Sequence, residues 1–233
     1  MKRINKILAE CGIASRREAE KLILAGDVSF DGKLVTDLAF KTDEYHKIRY
    51  LNQQIFIKKP RLWLFNKPVG YVVSRNPEGS NPIIYDLLSN INEQIISIGR
   101  LDKNTSGLLL LTNNGELARK LELPSNGFKR KYLIRIFGKV DFPELQQDLI
   151  NGITIDGFEY QPIYSSLLKS SSYNHLIELT LTEGKNREIR NIMAYYGYKV
   201  SSLARVEYGP FKLEDLKTGH LREVFDYQKL IKI

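Results

Sequence analysis

The chain of 233 residues is long enough for one large domain, or for a small domain followed by a medium one. Hydrophobic residues make up 42% of it and charged residues 27%, which are ordinary globular values and argue against a disordered chain. Lysine and arginine outnumber aspartate and glutamate by 35 to 27, so the formal net charge is +8. That excess favours a polyanionic partner without identifying it.

The composition also excludes several classes of protein. The single cysteine, Cys11, rules out an intramolecular disulfide framework and fits a reducing compartment. One cysteine and three scattered histidines cannot supply the usual zinc spacings, so we predict no metal site. The sequence has no Walker loop and no GxGxxG motif, and we expect no cofactor. Because no run approaches the ~18 apolar residues of a membrane span, and the N-terminus lacks a signal-peptide core, we expect a cytoplasmic protein.

The first sixty residues have the pattern of a small separate unit. Apolar residues at helical spacing predict a first helix over residues 4–11. Ser15 and Glu18 have the S-x-x-E spacing of a capping box, which predicts a second helix over residues 16–25. The segment VSFDGKLV then predicts two short strands around the turn at Asp31 and Gly32.

Basic side chains crowd these two predicted helices. Positive charge at a helix N-terminus opposes the helix dipole, and a bound phosphate would remove that penalty. A solvated helix face is the ordinary alternative for any one of these residues. Because the charges converge on a compact helix-turn-helix element, we favour a binding surface. The charges are at Lys2, Arg3, Lys6, Arg16, Arg17 and Lys21.

The same stretch, RINKILAECGIASRREAEKLILAGDVSFDGKLV, resembles an S4 (αL-type) RNA-binding module over roughly residues 2–50. In that family the two helices and the following turn bind structured RNA, mostly through phosphates. The resemblance implies RNA-binding roles for Arg3, Lys6, Ser15, Arg16, Arg17 and Lys21.

The run KKPR, residues 58–61, breaks the pattern and predicts a linker, because proline disfavours helix before it. We therefore expect one domain over residues 1–60 and another over residues 61–233. In the second, strand-like and helical segments alternate irregularly, which predicts an α+β fold with a mixed or antiparallel sheet. The predicted strands are LWLFNKP, YVVSR, LLLLTN, KYLIRIFG and HLIELTLTEG, and the predicted helices are IIYDLLSNI, GELARKLEL and NREIRNIMAYYG.

The stretch GRLDKNTSGLLLLTNNGEL places Asp102 between a basic turn and a buried-strand candidate. An aspartate in such a turn is more often structural than catalytic. Its neighbours favour a catalytic role. Arg100 either pairs with it or points at RNA, Thr105 and Ser106 supply hydroxyls, and Gly107 lets backbone approach closely.

This stretch closely resembles the signature of RNA pseudouridine synthases, in the branch that modifies ribosomal RNA and carries an N-terminal S4 module (the RsuA and RluB type). In that family the aspartate of the R-L-D triplet is the essential catalytic residue, which is Asp102 here. The arginine of the triplet, Arg100, is implicated in holding the target nucleotide out of the RNA helix.

Three further segments resemble motifs of the same family. FNKPVGYVVS resembles the first motif, with Lys67, Pro68 and Gly70 in register. RKYLIRI matches the strand whose tyrosine packs against the target base, here Tyr132. EGKNREIRNIMAYYGYKVSSLARVEYGPF matches the C-terminal motif, whose basic partner of the catalytic aspartate falls on Arg190. The resemblance implies catalytic roles for Asp102, Tyr132 and Arg190, and we assign RNA binding to Lys67, Arg100 and Arg187.

Without the resemblance, each of these residues has an ordinary structural interpretation. Tyr132 alternates with its neighbours on a strand and fits a core position as well as a site. Arg187 and Arg190, three residues apart on a predicted helix, fit a solvated or phosphate-facing stripe. Lys67 would ordinarily lie on the surface.

The sequence therefore predicts an enzyme that isomerises a specific uridine to pseudouridine in ribosomal RNA, by way of a flipped-out nucleotide. The segments NREIR and LPS, the latter at residues 123–125, favour 23S over 16S rRNA. Two alternatives stay open: a non-catalytic S4-type RNA-binding or ribosome-assembly protein, and the same chemistry on transfer RNA or 16S rRNA. We expect a monomer, since no coiled-coil heptads are present.

Overall fold

The computed structural model describes residues 1–75 and 79–231, and within them the chain divides into two compact units. The first comprises Met1–Arg61, Ile91–Ile96 and Thr112–Leu117. The second comprises Leu62–Asn90, Ser97–Leu111 and Ala118–Ile233. The division into domains at residue 60 stays a prediction, and the first unit takes in two short segments from farther along the chain.

The first unit is a helix pair beside a small sheet. Its elements are β1 (Lys2–Arg3), α1 (Ile4–Glu10), α2 (Arg16–Leu24), β2 (Val28–Phe30), β3 (Lys33–Leu34), β4 (Lys41–Thr42), β5 (Ile48–Tyr50) and β6 (Gln53–Gln54). One sheet has the strand order β3-β2-β5-β6, and β1 pairs with β4. A 3-10 turn covers Tyr45–Lys47.

Local sequence signals explain the boundaries of these elements. The Ser15 hydroxyl accepts a hydrogen bond from the Glu18 amide at 3.3 Å, and the Glu18 carboxylate accepts one from the Ser15 amide at 2.9 Å. The predicted capping box at the start of α2 is therefore confirmed. Asp31 and Gly32 both have positive φ, 50° and 77°, which confirms the predicted hairpin turn between β2 and β3.

The second unit contains most of the strands and the remaining helices. Two 3-10 turns cover Ile84–Leu88 and Pro124–Asn126. The elements that lie wholly or mostly in it are β7 (Leu62–Lys67), β8 (Ile96–Ile98), β9 (Ser106–Thr112), α3 (Gly115–Glu122), β10 (Arg130–Phe137), α4 (Phe142–Asn151), β11 (Ile153–Ile155), β12 (Phe158–Tyr160), β13 (Tyr164–Ser170), β14 (Asn174–Leu181), α5 (Glu188–Tyr195), β15 (Lys199–Tyr208), β16 (Phe211–Lys212), β17 (Leu221–Glu223) and α6 (Tyr227–Leu230). None of the helices in the described ranges is long and apolar enough to cross a membrane.

These strands build a mixed sheet of order β13-β14-β10-β15-β9-β7-β17, with β16 on β15 and β8 on β9. β15 and β9 run parallel, whereas β10 is antiparallel to both β14 and β15. The predicted α+β class with a mixed sheet is confirmed. Leu108, Leu109, Leu110 and Leu111 on β9 are all fully buried, which places this strand in the core of the unit.

Gly107 decides how β9 joins the sheet. It has φ 98°, and a Cβ atom built on it would lie 2.2 Å from the carbonyl oxygen of Arg205. Only glycine permits the backbones of β9 and β15 to approach this closely. The turn that carries Asp102 is therefore followed at once by a strand held tightly to β15.

Two predicted elements differ from the structure. YVVSR forms no strand: among the described residues, Val72 makes an isolated bridge with Ile83, its amide donates to the Pro82 carbonyl, and its carbonyl accepts from the Ile84 amide. IIYDLLSNI forms only a 3-10 turn, where Asp86 accepts a hydrogen bond from the Ile83 amide at 3.2 Å. In addition α4, with Asp141 as its N-cap, was not among the predicted elements.

Candidate active site

Every backbone carbonyl of the turn from Asp102 to Thr105 accepts a hydrogen bond. The Thr105 amide donates to the Asp102 carbonyl at 3.0 Å, and the Gly70 amide donates to that of Lys103 at 2.8 Å. The Arg190 guanidinium donates to the Asn104 carbonyl at 2.7 Å, and the Lys67 ammonium donates to that of Thr105 at 2.8 Å. Donors from three separate parts of the chain thus hold the turn in one conformation.

Lys67 is fully buried beneath this turn. Its ammonium donates to the Pro68 carbonyl at 2.9 Å and to the Asp102 carbonyl at 3.2 Å, in addition to Thr105. Burial lowers the pKa of Lys67 to about 8, and the charge of Asp102 opposes that effect. The assignment of Lys67 to RNA binding is wrong, because a side chain without exposed surface cannot reach a phosphate. It fastens the turn that carries Asp102.

The carboxylate of Asp102 is 32% exposed, and its Oδ2 atom lies 4.0 Å from Nη1 of Arg187. The direct ion pair that the sequence predicts for Arg190 is thus made by Arg187. Burial, and then repulsion by Arg187, lower the pKa of Arg190, while the Asp102 charge acts in the opposite direction. Arg190 therefore interacts with Asp102 electrostatically while its own hydrogen bond goes to the turn. Its catalytic role stays a prediction.

Arg187 does not lie on the helix that the sequence predicts for it. The helix α5 begins at Glu188, and Arg187 is its N-cap residue in the left-handed region, with φ 51° and no side-chain capping bond. A non-glycine residue in this region is strained and persists only where its surroundings hold it. The left-handed conformation takes Arg187 off the helical face of Arg190, yet both guanidinium groups approach the Asp102 turn.

These groups open onto a cleft of about 570 Å³, a size that suits a small-molecule or nucleotide ligand. Tyr132 lines the cleft from β10 and is 9% exposed, opposite Leu179 on β14 and Arg205 on β15. Arg100 is exposed and lies at the same cleft. The structure therefore brings together Arg100, Asp102, Tyr132, Arg187 and Arg190, from three separate segments of the chain.

Basic groups outnumber acidic ones around the cleft, which favours an anionic ligand. The basic residues are Arg100, Arg130, Lys185, Arg187, Arg190 and Arg205, and the acidic ones are Asp102, Glu122, Glu183 and Glu188. Among the residues that the structure describes, no group of histidine, cysteine or carboxylate side chains is arranged to hold a metal ion.

Sequence reasoning missed the arginines that support the floor of the cleft. Arg205 is 2% exposed, and its Nε donates to the Leu108 carbonyl at 2.8 Å. Its guanidinium lies 5.0 Å from the ring centre of Tyr208, and that of Arg130 lies 4.9 Å from the same ring. The available signal was the alternation in SLARVEY, where Arg205 occupies an inward position two residues after the buried Leu203.

In the first unit, most of the predicted RNA-binding residues are exposed: Arg3, Arg16, Arg17 and Lys21. Lys6 forms an ion pair with Glu116 at 2.7 Å, and the Ser15 hydroxyl serves as the cap of α2. Direct RNA contacts of these six residues stay predictions.

Comparison with known proteins identifies the class to which this fold and cleft belong. A family model described as RNA pseudouridylate synthase matches residues 61–195, and a model of the S4 domain matches residues 2–44. The chain belongs to the RNA pseudouridine synthase family and carries an S4 domain.

Its relatives are similar along nearly their whole length. An uncharacterized RNA pseudouridine synthase of Rickettsia felis is 44% identical, over 96% of this chain and 97% of the relative. The ribosomal large subunit pseudouridine synthase B of Bacillus subtilis is 35% identical, over 98% of this chain and 94% of the relative. The chain also aligns with the crystal structure of a pseudouridylate synthase over 100% of both chains, with 26% identity and a TM-score of 0.67. The protein is thus an RNA pseudouridine synthase, an isomerase.

Proposed function

We propose that this enzyme isomerises one specific uridine in ribosomal RNA, and that its substrate is 23S rather than 16S rRNA. The relatives named ribosomal large subunit pseudouridine synthase B, from Bacillus subtilis and Buchnera aphidicola, support this choice at 35% and 38% identity. The segments NREIR and LPS favour the same branch. The S4 domain binds a folded RNA element, and the enzyme works in the cytoplasm as a monomer.

One observation carries the catalytic part of the proposal. Asp102 stands on a turn whose carbonyls are all held by donors, while its carboxylate faces a cleft and lies 4.0 Å from Arg187. A rigid support beneath a partly exposed carboxylate is what a positioned nucleophile or base requires. We infer that Asp102 is the essential catalytic group.

The reaction explains why these residue types are needed. The bond between C1′ of the ribose and N1 of uracil breaks, the base rotates, and a bond forms between C1′ and C5. The proton leaves C5 and N1 regains one, so no oxidant or reductant is consumed. Asp102 acts as the nucleophile or as the base, and it must stay ionised to do either. Arg187, whose Nη1 lies 4.0 Å from Oδ2 of Asp102, provides a positive charge beside that carboxylate.

The reacting uridine must leave the RNA stack before Asp102 can reach it. Flipping a base out costs a few kcal/mol, and stacking on an aromatic ring returns about 1–3 kcal/mol. Tyr132 lines the cleft beside Asp102 and provides that ring in our proposal. Arg100, exposed at the same cleft, holds the flipped nucleotide outside the helix.

Tritium release from RNA labelled at C5 of uridine tests the substrate, because the C5 proton is lost in every turnover. Deproteinised 23S rRNA, 16S rRNA and bulk transfer RNA are compared under single-turnover conditions. The proposal expects release from 23S rRNA at a stoichiometry of about one per molecule, since the enzyme is specific for one site. Release from 16S rRNA or transfer RNA instead would assign the enzyme to another substrate.

A further inference from the structure

The loop between β14 and α5 carries Arg187, and a buried carboxyl group closes it. Glu188 is 3% exposed. Its Oε2 atom accepts the Lys185 amide at 3.0 Å, and its own amide donates to the Lys185 carbonyl at 3.3 Å. These two bonds close the turn from Lys185 to Glu188, and Arg187 lies within it.

The second carboxyl oxygen of Glu188 is buried, and no hydrogen bond to it is formed within the described residues. The Glu183 carboxylate lies in the same loop region, because Lys185 bonds to both groups: its amide donates to Glu188 and its ammonium donates to Glu183 at 3.0 Å. Glu183 also accepts the Gln161 amide at 2.9 Å. Two neighbouring carboxylates repel each other unless one of them keeps a proton.

We propose that Glu188 is a positioning residue that keeps a proton and donates it to the Glu183 carboxylate, fixing the loop that directs Arg187 and Arg190 toward Asp102. The inference rests on the proposed catalytic role of Asp102. Arg187 makes such support necessary, because its backbone is strained at φ 51° and has no side-chain cap. Glu188 itself is a positioning group, since its observed bonds go to Lys185.

The protonation of the two carboxyl groups follows from their surroundings. Burial, and then the charge of Glu183, raise the pKa of Glu188 to about 7. Burial also acts to raise the pKa of Glu183, but bonds from Gln161, Lys185 and Glu188 outweigh it and leave the pKa below its ordinary value. The charged groups that face Glu188 are therefore Glu183 at the end of β14 and Lys185 in the loop.

A carboxyl group with a raised pKa supports the folded loop at low pH and loses that support as the pH rises through about 7. Above that pH the two carboxylates repel, and the loop no longer holds the arginines in place. The rate of the chemical step is then expected to fall relative to a variant that cannot ionise.

Glu188→Gln cannot ionise, and it keeps the hydrogen bonds of the protonated glutamate: its side-chain amide can donate to Glu183, and its side-chain carbonyl can still accept from the Lys185 amide. We measure single-turnover tritium release at pH 6 and pH 8.5 for the wild type, Glu188→Gln and Glu188→Ala. Glu178→Gln is the matched control: this glutamate lies on β14, outside the cleft, and pairs with Lys131 at 3.1 Å. Asp102→Asn is included in every series.

Glu188→Gln is expected to stay within about threefold of the wild type at pH 6, while Glu188→Ala loses about 100-fold in rate with little change in RNA affinity. The ratio of wild-type rate to Glu188→Gln rate is expected to fall about tenfold between pH 6 and pH 8.5, and to stay flat for the control.

A flat ratio, or a loss in Glu188→Gln equal to that in Glu188→Ala, would overturn the role of Glu188. The pH ratio decides the question even where Glu188→Ala fails to fold, because it compares two variants with the same side-chain shape. Retained turnover in Asp102→Asn would overturn the proposed function instead, and this outcome is read independently of the Glu188 variants.

Discussion

Lys67, in the segment FNKPVGYVVS, holds the turn that carries Asp102. Its ammonium contacts the carbonyls of Pro68, Asp102 and Thr105 and carries no exposed surface. The Asp102 carboxylate is thus placed by a side chain that never meets the substrate. Its contribution is geometric, because a displacement of about 1 Å at a reacting group costs about 100-fold in rate.

Replacing Lys67 by methionine keeps the length of the side chain and removes these donors. We expect Lys67→Met to lose about 2–4 kcal/mol of stability, because buried carbonyls lose their partners, and to lower the rate of isomerisation. Urea unfolding and tritium release measure the two effects. Lys217→Met, at an exposed lysine, is the control. Full activity and unchanged stability in Lys67→Met would contradict the fastening role.

The burial of Lys67 also predicts that the stability of the wild type depends on pH. The pKa of Lys67 is lowered to about 8 by burial, so between pH 8 and the ordinary lysine pKa of 10.5 the unfolded chain binds the extra proton. Stability therefore rises with pH across this window for the wild type. We expect the unfolding free energy of the wild type, measured relative to that of Lys67→Met, to increase between pH 8 and pH 10. A constant difference would show that the ammonium is not desolvated.

At the scale of elements, the close contact between β9 and β15 sets where the Asp102 turn ends. The parallel register pairs Gly107 with Arg205 and Ser106 with Ala204. Because a Cβ at residue 107 would meet backbone at 2.2 Å, no side-chain movement can relieve the clash. The two strands must separate, and the cleft floor at Arg205 moves with them.

We therefore expect Gly107→Ala to lose about 3 kcal/mol or more, within the range of severe backbone and overpacking mutations. Gly157→Ala is the control, since Gly157 also has positive φ, at 80°, but has open space where the Cβ would stand. It should lose only the cost of the left-handed backbone, about 1–2 kcal/mol. Unfolding in urea measures both. Equal losses would mean that the approach of β9 to β15 is not tight.

Local patterns predicted much of the fold but less of the site. The capping box, the Asp31–Gly32 turn and strands such as β10 and β14 depend on neighbours within a few residues, and these predictions are confirmed. The burial of Lys67 depends on carbonyls more than thirty residues away, which no local pattern contains. For the same reason, the left-handed backbone of Arg187 and the contact of Glu188 with Glu183 emerge only from packing.

The whole molecule combines an S4 domain with a catalytic domain whose cleft is rich in arginine. The net charge of +8 suits a partner with many phosphates, and affinity for such a partner falls as salt rises. Arg16 and Arg17 are exposed at the start of α2, and Lys2 and Lys6 on the same unit are already paired with Glu116. Within the described part of the chain Arg16 and Arg17 form no ion pair, so they are the better candidates for phosphate contacts.

We expect the double variant Arg16→Ala, Arg17→Ala to bind rRNA more weakly and to reduce the slope of log affinity against log salt by about 1.5–2. A double variant of Lys217→Ala and Lys229→Ala removes equal charge from exposed positions elsewhere and is the control. Filter binding at salt concentrations between about 50 and 300 mM measures this slope for both double variants. An unchanged slope in the arginine variant would place the RNA footprint outside α2.

In the proposed function, the isomerisation depends on the Asp102 carboxylate. Asp102→Asn keeps the shape of the side chain and leaves the carbonyl contacts of its turn in place. We predict that this variant releases no tritium above the enzyme-free level, while its rRNA affinity and unfolding free energy stay within about 0.5 kcal/mol of the wild type. Asp156→Asn, at an exposed turn, is expected to react normally. Tritium release by Asp102→Asn at a rate near that of the wild type would contradict the account.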